Sequence, residues 1–389
     1  MTECFSFVNI VDNRDQEFKQ DQIKMSAQYA DSGKIDVWTN RTSHLQKGCY
    51  QSTRKEYYRI KYQQGQALFF QSQNLNISVC KVAKAGSTFW AIVFLIVDKG
   101  LPAAEAFGIS RSKIHGLSSG LTKHMPPHPQ PLGTKGVVVS RDPYSRLFSA
   151  FIDKFFLLRF PQAAQALARS LGKGYFMTDA GKCGYDVSFQ DFVDSETTKA
   201  LQGAKINRHW CPVYTLCRVC DVEYQYVIKQ ETLTKDTEYI MSQLDISNDV
   251  KATLTNMFHG SGTNKAMEGV IETMWNDHDS KTMQACCNNK LAFFMKMWEG
   301  FKIQGYIKTD KPFPISTFKD ENSVNLETIT KAVLSEMTTH PLSSTERKAQ
   351  RRQALVEAYK VMPKRILSQI QEMYKMDFYL FSYDINPPV

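Results

Sequence analysis

The chain has 389 residues, with 48 Lys plus Arg against 39 Asp plus Glu, a formal charge of +9. At 42% hydrophobic and 12% aromatic residues it can bury a sizeable core, which excludes global disorder. The length suggests one large domain with insertions or two domains. The positive surplus favours an anionic partner: nucleic acid, a charged membrane, a phosphorylated cofactor or an acidic glycan.

The N-terminus has no basic region followed by an apolar run, so no signal peptide is visible. The longest apolar run, Phe89 to Val97, is about half the ~18 residues of a membrane span. Taken by itself the chain reads as soluble. Residues 1–70 are polar and weakly periodic and read as an N-terminal arm or stem with little core of its own. The sequons at Asn40 and Asn76 differ, the second lying just before an apolar strand, where a glycan fits poorly.

From Ile77 the pattern alternates as a strand does, through Val82. A small-residue turn follows, Ala83-Lys84-Ala85-Gly86-Ser87-Thr88, and then the apolar run. This is strand, turn, helix, with Ser87 or Thr88 expected as the N-cap. His124 to Pro131 reads as a loop. Gly136 to Ser140 is a β-branched run expected to be a parallel strand buried on both faces. Asp142 and Pro143 then open a helix as N-cap and first residue. Its apolar stripe is Tyr144, Leu147, Phe148, Phe151 and Phe155, which leaves Arg146 and Ser149 off the stripe. Two strand-turn-helix units in succession argue an α/β fold with a parallel sheet flanked by helices. Residues 255–350 read as a long, irregular insertion, and a closing helix is expected from about Thr345 to Tyr374.

Two constellations carry chemistry. Around Lys84, small residues let backbone N–H groups approach an anion, the helix start adds partial positive charge, and Lys84 adds a full one. The Lys precedes the Gly, so this is not a Walker A loop, and a kinase or NTPase is disfavoured. Arg141 at the second strand end, with Ser149 eight residues on, can share a phosphate through a bidentate fork and a hydroxyl. Either taken alone fits an ordinary βα turn or a surface Arg. Together they lie where an open α/β sheet binds a nucleotide.

These motifs resemble a known family. CKVAKAGSTFW and VVVSRDPYSRLFSAFIDKF are similar to the 5′-phosphosulfate loop and 3′-phosphate motif of the Golgi carbohydrate sulfotransferases. The resemblance points to the branch with chondroitin/dermatan 4-O-, GalNAc 4-O- and HNK-1 sulfotransferases. Further matches follow in order: KIHGLSSGL with His115, DVSFQDF at 186–192, the block 209–236 opening on His209-Trp210, and MYKMDFYLFSYD at 373–384. Ala83 stands where the family usually has Pro, and Ser87 where it often has Cys.

The resemblance implies a P-loop-like single sulfotransferase domain over 71–389; the variable C-terminal helical insertion at about 255–350 is a departure, longer than the family leads one to expect. It implies 3′-phosphoadenylyl sulfate (PAPS) as donor and a sugar hydroxyl as acceptor, with the 4-OH of GalNAc in a chondroitin/dermatan-like glycan or an N-glycan foremost. Lys84 with Ala85, Gly86, Ser87 and Thr88 would hold the 5′ side, and Arg141 with Ser149 the 3′-phosphate. His115 is favoured as general base, with His209 in the acceptor site or in a structural role. No metal is expected. The family's type II anchor and Golgi location imply a missing N-terminal piece or a soluble form. A non-catalytic glycan- or nucleotide-binding relative is the alternative from another class, and a cytosolic small-molecule sulfotransferase an enzyme alternative. A nucleic-acid binder has no matching motif.

Nine cysteines leave at least one unpaired within the chain. His209, Cys211, Cys217 and Cys220 could suggest a zinc site, since Cys217 and Cys220 have ligand spacing, but a second pair at proper distance is missing. The matching family cysteines look like disulfide partners in an oxidising lumen. Seven Lys/Arg within 340–365, Arg351 and Arg352 among them, could grip a polyanionic glycan or simply form a solvated helix face.

Overall fold

The computed structural model describes residues 36–52, 59–62, 67–72, 74–106, 109–124, 134–172, 186–244, 246–259, 263–278, 289–318 and 323–389. Most of the His124–Pro131 loop, and Cys4, Cys183, Cys286 and Cys287, lie outside them.

Helix α1 (Val37–Gln51) opens the described chain and is followed by β1 (Lys61–Tyr62), β2 (Leu68–Ser72) and β3 (Ile77–Cys80). The first expected unit is then present as β3, a turn and α2 (Ser87–Lys99). After α3 (Arg111–Leu117) and β4 (Thr122–His124), the second unit is β5 (Lys135–Ser140) and α4 (Pro143–Phe151). The chain continues as α5 (Pro161–Ser170), α6 (Phe189–Leu201), β6 (Lys205–Ile206), the short α7 (Val213–Leu216) and β7 (Tyr226–Lys229).

The main sheet runs β4-β2-β3-β5-β7. β3, β5 and β7 are parallel, as the two βα units require. β2 and β4 extend it antiparallel. The residues of β5 from Gly136 to Ser140 are all buried. A parallel strand with helices on both faces has no solvent side, which is why its sequence does not alternate.

The expected stem differs from the structure in its described part. Leu45, Ile60, Tyr62, Phe69 and Phe70 are buried in the core, and β2 and β1 belong to sheets. α1 packs on the end of β7, where Arg41 pairs with the buried Asp236 at 2.6 Å. A disulfide from Cys49 to Cys220 ties it down. A half-buried helix next to polar loops carries too weak an apolar stripe to be read from sequence.

The 255–350 segment, irregular by its turn signals but expected as a helical insertion at the level of the fold, is largely helical where described. After α8 (Leu233–Ser242) come α9 (Asn248–His259), α10 (Thr263–His278), α11 (Lys290–Ile303) and α12 (Leu326–Thr339). Phe293, Phe294, Met297, Trp298 and Phe301 of α11 are all buried; the turn signals mark the connections between helices rather than a loop. The closing helix is three pieces: α13 (Ser344–Lys360), α14 (Lys364–Met373) and α15 (Lys375–Leu380). Pro363, which has no N–H to donate, separates the first two.

Candidate functional site

The turn after β3 is built by backbone conformation. Lys84 has φ of +67° and Gly86 of +87°. The positive φ of Gly86 favours glycine, and an added Cβ would lie 2.9 Å from a Leu233 methyl, which would have to shift. Lys84 occupies a left-handed conformation that costs a residue with a side chain free energy and clusters at functional sites. Gly86 rather than Ser87 or Thr88 is the N-cap, and the helix begins at Ser87. The first N–H groups of α2 therefore sit directly at the turn.

β5 ends beside it. Asp142 caps α4 by accepting from Ser145 N at 2.8 Å, with Pro143 at the first turn, as its sequence position implies. Arg141 donates through Nη1 to the Lys84 carbonyl at 2.7 Å. This bond ties the end of β5 to the Lys84 turn. The Arg141 Nε, also buried, has no hydrogen-bond partner among the described residues. Burial disfavours the charged form of Arg141, and Glu231 and Asp142 oppose that effect.

Arg146 was expected off the buried stripe of α4, but it is fully buried. Its guanidinium donates to the carbonyls of Ala83 at 3.0 Å, Cys211 at 2.6 Å and Arg208 at 3.2 Å. It thus staples the residue before Lys84 to the loop that carries His209. Sequence periodicity assigns an Arg to the solvent side. Here each guanidinium nitrogen donates to a backbone carbonyl.

Beyond α4 the helix widens into a single π turn, Ile152–Phe156, a feature frequent at functional sites. It presents Asp153, whose carboxylate pairs with Lys84, with Lys154 at 3.2 Å and with Arg159 at 3.3 Å. Arg159 also pairs with Asp277 at 2.5 Å. These residues lie in and just past the FIDKF end of the second motif, but no spacing rule picks them out.

One cavity of about 710 Å³ is lined by Lys84, Gly86, Ser87, Thr88, His115, Arg141, Ser149, Asp153, Lys154, Arg159, Arg208 and His209. All the sequence-derived site residues except Ala85 line it; Ala85 is buried beneath the turn. Arg351 and Arg352 of α13 line it too. The volume lies in the range of small-molecule sites.

The two histidines differ. His115, on α3, has Nε2 3.4 Å from Thr88 Oγ1. His209 follows β6, and its backbone N–H donates to Asn207 Oδ1 at 3.0 Å. That bond identifies the amide oxygen. His209 Nδ1 lies 2.7 Å from the same atom and must therefore carry the hydrogen, which leaves Nε2 with the lone pair. Burial, then Lys154, Lys84 and Arg208, push the His209 pKa down to about 2, so the ring is neutral.

The last two family-like motifs act behind the site. Asp377 accepts from the backbone N–H of Val213 at 2.7 Å and Tyr214 at 2.8 Å, and burial raises its pKa to about 6. Tyr374 donates to the Trp210 carbonyl, and Trp210 donates to Glu196 at 2.9 Å. Glu231 accepts from Asp142 N at 2.9 Å and from Tyr383 at 3.0 Å. The C-terminal segment thus holds the His209 loop and the Arg141 end of β5.

The zinc spacing of Cys217 and Cys220 is used otherwise. Cys80 bonds Cys217 and Cys49 bonds Cys220, while Cys211 is free and buried. Among the described residues no group of His, Cys, Asp and Glu is arranged to hold a metal ion.

The family model described as "Sulfotransferase family" matches residues 67–286, more than half of the chain. The chain belongs to this sulfotransferase family. Mouse carbohydrate sulfotransferase 12 is 30% identical over 199 residues, covering 44% of this chain and 46% of its own. Zebrafish carbohydrate sulfotransferase 11 is 34% identical over 106 residues, 26% of this chain and 30% of its own. Human carbohydrate sulfotransferase 9 is 27% identical over 194 residues, 45% of this chain and 40% of its own. The matched stretch spans less than half the length of each of these relatives. No solved structure matches the chain.

Proposed function

We propose that the protein is a carbohydrate sulfotransferase that moves the sulfuryl group of PAPS to a sugar hydroxyl. The observation that carries this reading is the convergence of the Lys84 turn, Arg141, Ser149, His115 and His209 on one cavity. The orphaned Arg141 Nε and the helix start at Gly86 fit a nucleotide with phosphate at both ends. The relatives named as carbohydrate sulfotransferases support a sugar as acceptor. Within that class we propose the 4-OH of GalNAc in a chondroitin/dermatan-like or N-linked glycan.

In this reading Lys84 and the N–H groups from Gly86 to Thr88 stabilise charge on the leaving 5′-phosphate oxygen. Arg141 and Ser149 hold the 3′-phosphate. His115 takes the acceptor's proton. His209, with proton affinity suppressed by burial and three cations, cannot retain a proton and serves as a neutral hydrogen-bond acceptor toward the sugar. The sulfuryl group is less anionic than a phosphoryl group, and no metal clamp is needed.

Two disulfides support an oxidising compartment, and we propose the Golgi lumen. Among the described residues no helix is long and apolar enough to cross a membrane.

The test is incubation with labelled PAPS and a panel of chondroitin, dermatan, heparan and terminal-GalNAc acceptors, with a thermal-shift measurement of 3′,5′-ADP binding. Label on a GalNAc acceptor supports the proposal. Binding of 3′,5′-ADP with no acceptor labelled contradicts it.

A further inference from the structure

Lys81 is only 9% exposed, just past the end of β3, and it lines the cavity. Its Nζ lies 4.8 Å from the centroid of the Phe70 ring on β2. β2 flanks β3 on the side away from β5, whereas Arg141 and Ser149 follow β5. Lys81 thus reaches toward β2, whereas Arg141 and the helix that carries Ser149 follow β5, on the other side of β3.

Arg208, beside His209, lines the same cavity. Its charge adds to burial in pulling the Lys81 pKa down to about 8. Lys84, Lys154 and Arg159 converge on Asp153, but neither Lys81 nor Arg208 pairs with an acid among the described residues. A largely buried cation that shares a cavity with a second unpaired cation is unfavourable unless an anion joins them there. The Phe70 ring face offsets only part of that cost.

We propose that Lys81 and Arg208 form a subsite that reads an acidic group, a carboxylate or a sulfate ester, on the acceptor sugar chain. This rests on the sulfotransferase reading and specifies its acceptor. Arg208 supplies a fork for two oxygens and Lys81 a point charge from below. The subsite lies beside His209, so an acid held there sets the register of the chain against the reacting hydroxyl.

The test compares transfer from PAPS to chondroitin sulfate, to its carboxyl-reduced form, to its desulfated form, and to a form with both changes, which is neutral. The variants are Lys81→Met, which keeps the length of the buried stem, Arg208→Gln and Lys81→Arg. For Lys81→Met and Arg208→Gln, the ratio of kcat/KM on the anionic to the neutral acceptor falls on the order of tenfold or more. Lys81→Arg recovers most of that ratio. Affinity for 3′,5′-ADP, measured by calorimetry, stays as in the wild type. Selectivity retained on the carboxyl-reduced form and lost on the desulfated form assigns the sulfate ester as the group read, and the reverse assigns the carboxylate. An equal loss on all acceptors, no loss, or a parallel fall in 3′,5′-ADP affinity overturns the subsite. Failure of the wild type to bind 3′,5′-ADP sinks the sulfotransferase reading, and the subsite with it.

Discussion

Replacing Arg146 by Met removes a side chain that no substrate needs to touch, and the effect on the site should still be large. The guanidinium donates to the carbonyls of Ala83, Cys211 and Arg208, and its residue is fully buried. Each acceptor left without a partner costs ~1–3 kcal/mol. Met fills much of the volume and removes the cost of burying a charge, so a net loss of about 3–5 kcal/mol is expected. At roughly 2 °C per kcal/mol for a large chain, that lowers the melting temperature by about 6–10 °C. The staple holds Ala83, next to Lys84, and Arg208, next to His209. Donor binding must therefore weaken as well, and saturating 3′,5′-ADP should raise the melting temperature less than in the wild type. Arg146→Lys should fall between, because one ammonium on a flexible stem cannot serve three fixed carbonyls at once. Differential scanning fluorimetry with and without 3′,5′-ADP reads both effects. An Arg146→Met protein with wild-type melting and wild-type ligand shift would refute the reasoning.

Three more outcomes follow from the same geometry. His115→Ala should lose ~10²–10⁴ in transfer rate with 3′,5′-ADP affinity intact, and His209→Ala less; stopped-assay rates in the reverse order would contradict the assignment of His115 as base and of His209 as a neutral acceptor. His209 has its folded-state pKa depressed to about 2, below the ordinary value near 6.5, so the unfolded chain binds the extra proton between these limits. Its contribution to stability is complete above about pH 6.5 and is lost as pH falls toward 2, by at most about 1.4 kcal/mol per pH unit. Melting curves from pH 7.5 to 5 should show the wild type losing stability relative to His209→Gln; a constant gap would contradict the shift. Cys80→Ser, which opens the disulfide to Cys217 across 137 residues, should cost about 2–5 kcal/mol by chemical denaturation; an unchanged midpoint would argue that the bond is absent in solution.

The β3–α2 and β5–α4 units were legible because their physics is local. Continuous β-branched runs mark strands buried on both faces, and the Asp142-Pro143 pair marks a helix start; the first helix was expected to be capped by Ser87 or Thr88, because a cap at Gly86 has no side-chain hydrogen bond to signal it. The residues at these strand ends were therefore placed together by topology, and Lys84, Arg141, Ser149, His115 and His209 do line one cavity. What stayed hidden depends on contacts between distant segments. Arg146 is polar by sequence and buried by virtue of three carbonyls from two other loops. Asp153 matters because a π turn brings it to Lys84. The helical region from Asn248 to Thr339 carries turn residues at every connection, which masks the helices between them. β2 and β4 join the sheet antiparallel through pairings that no local pattern encodes. Cys217 and Cys220 sit three apart, yet their partners lie 137 and 171 residues away.

The most direct test of the account is sulfate transfer by the wild type and by Lys84→Ala, with labelled PAPS and a GalNAc-containing glycan. Lys84 is the full charge at the 5′ turn, and losing one such stabilising group costs about 10²–10³ in rate. The wild type should label the glycan and Lys84→Ala almost not at all, with both proteins folded by their melting curves. Equal turnover by the two proteins would contradict it.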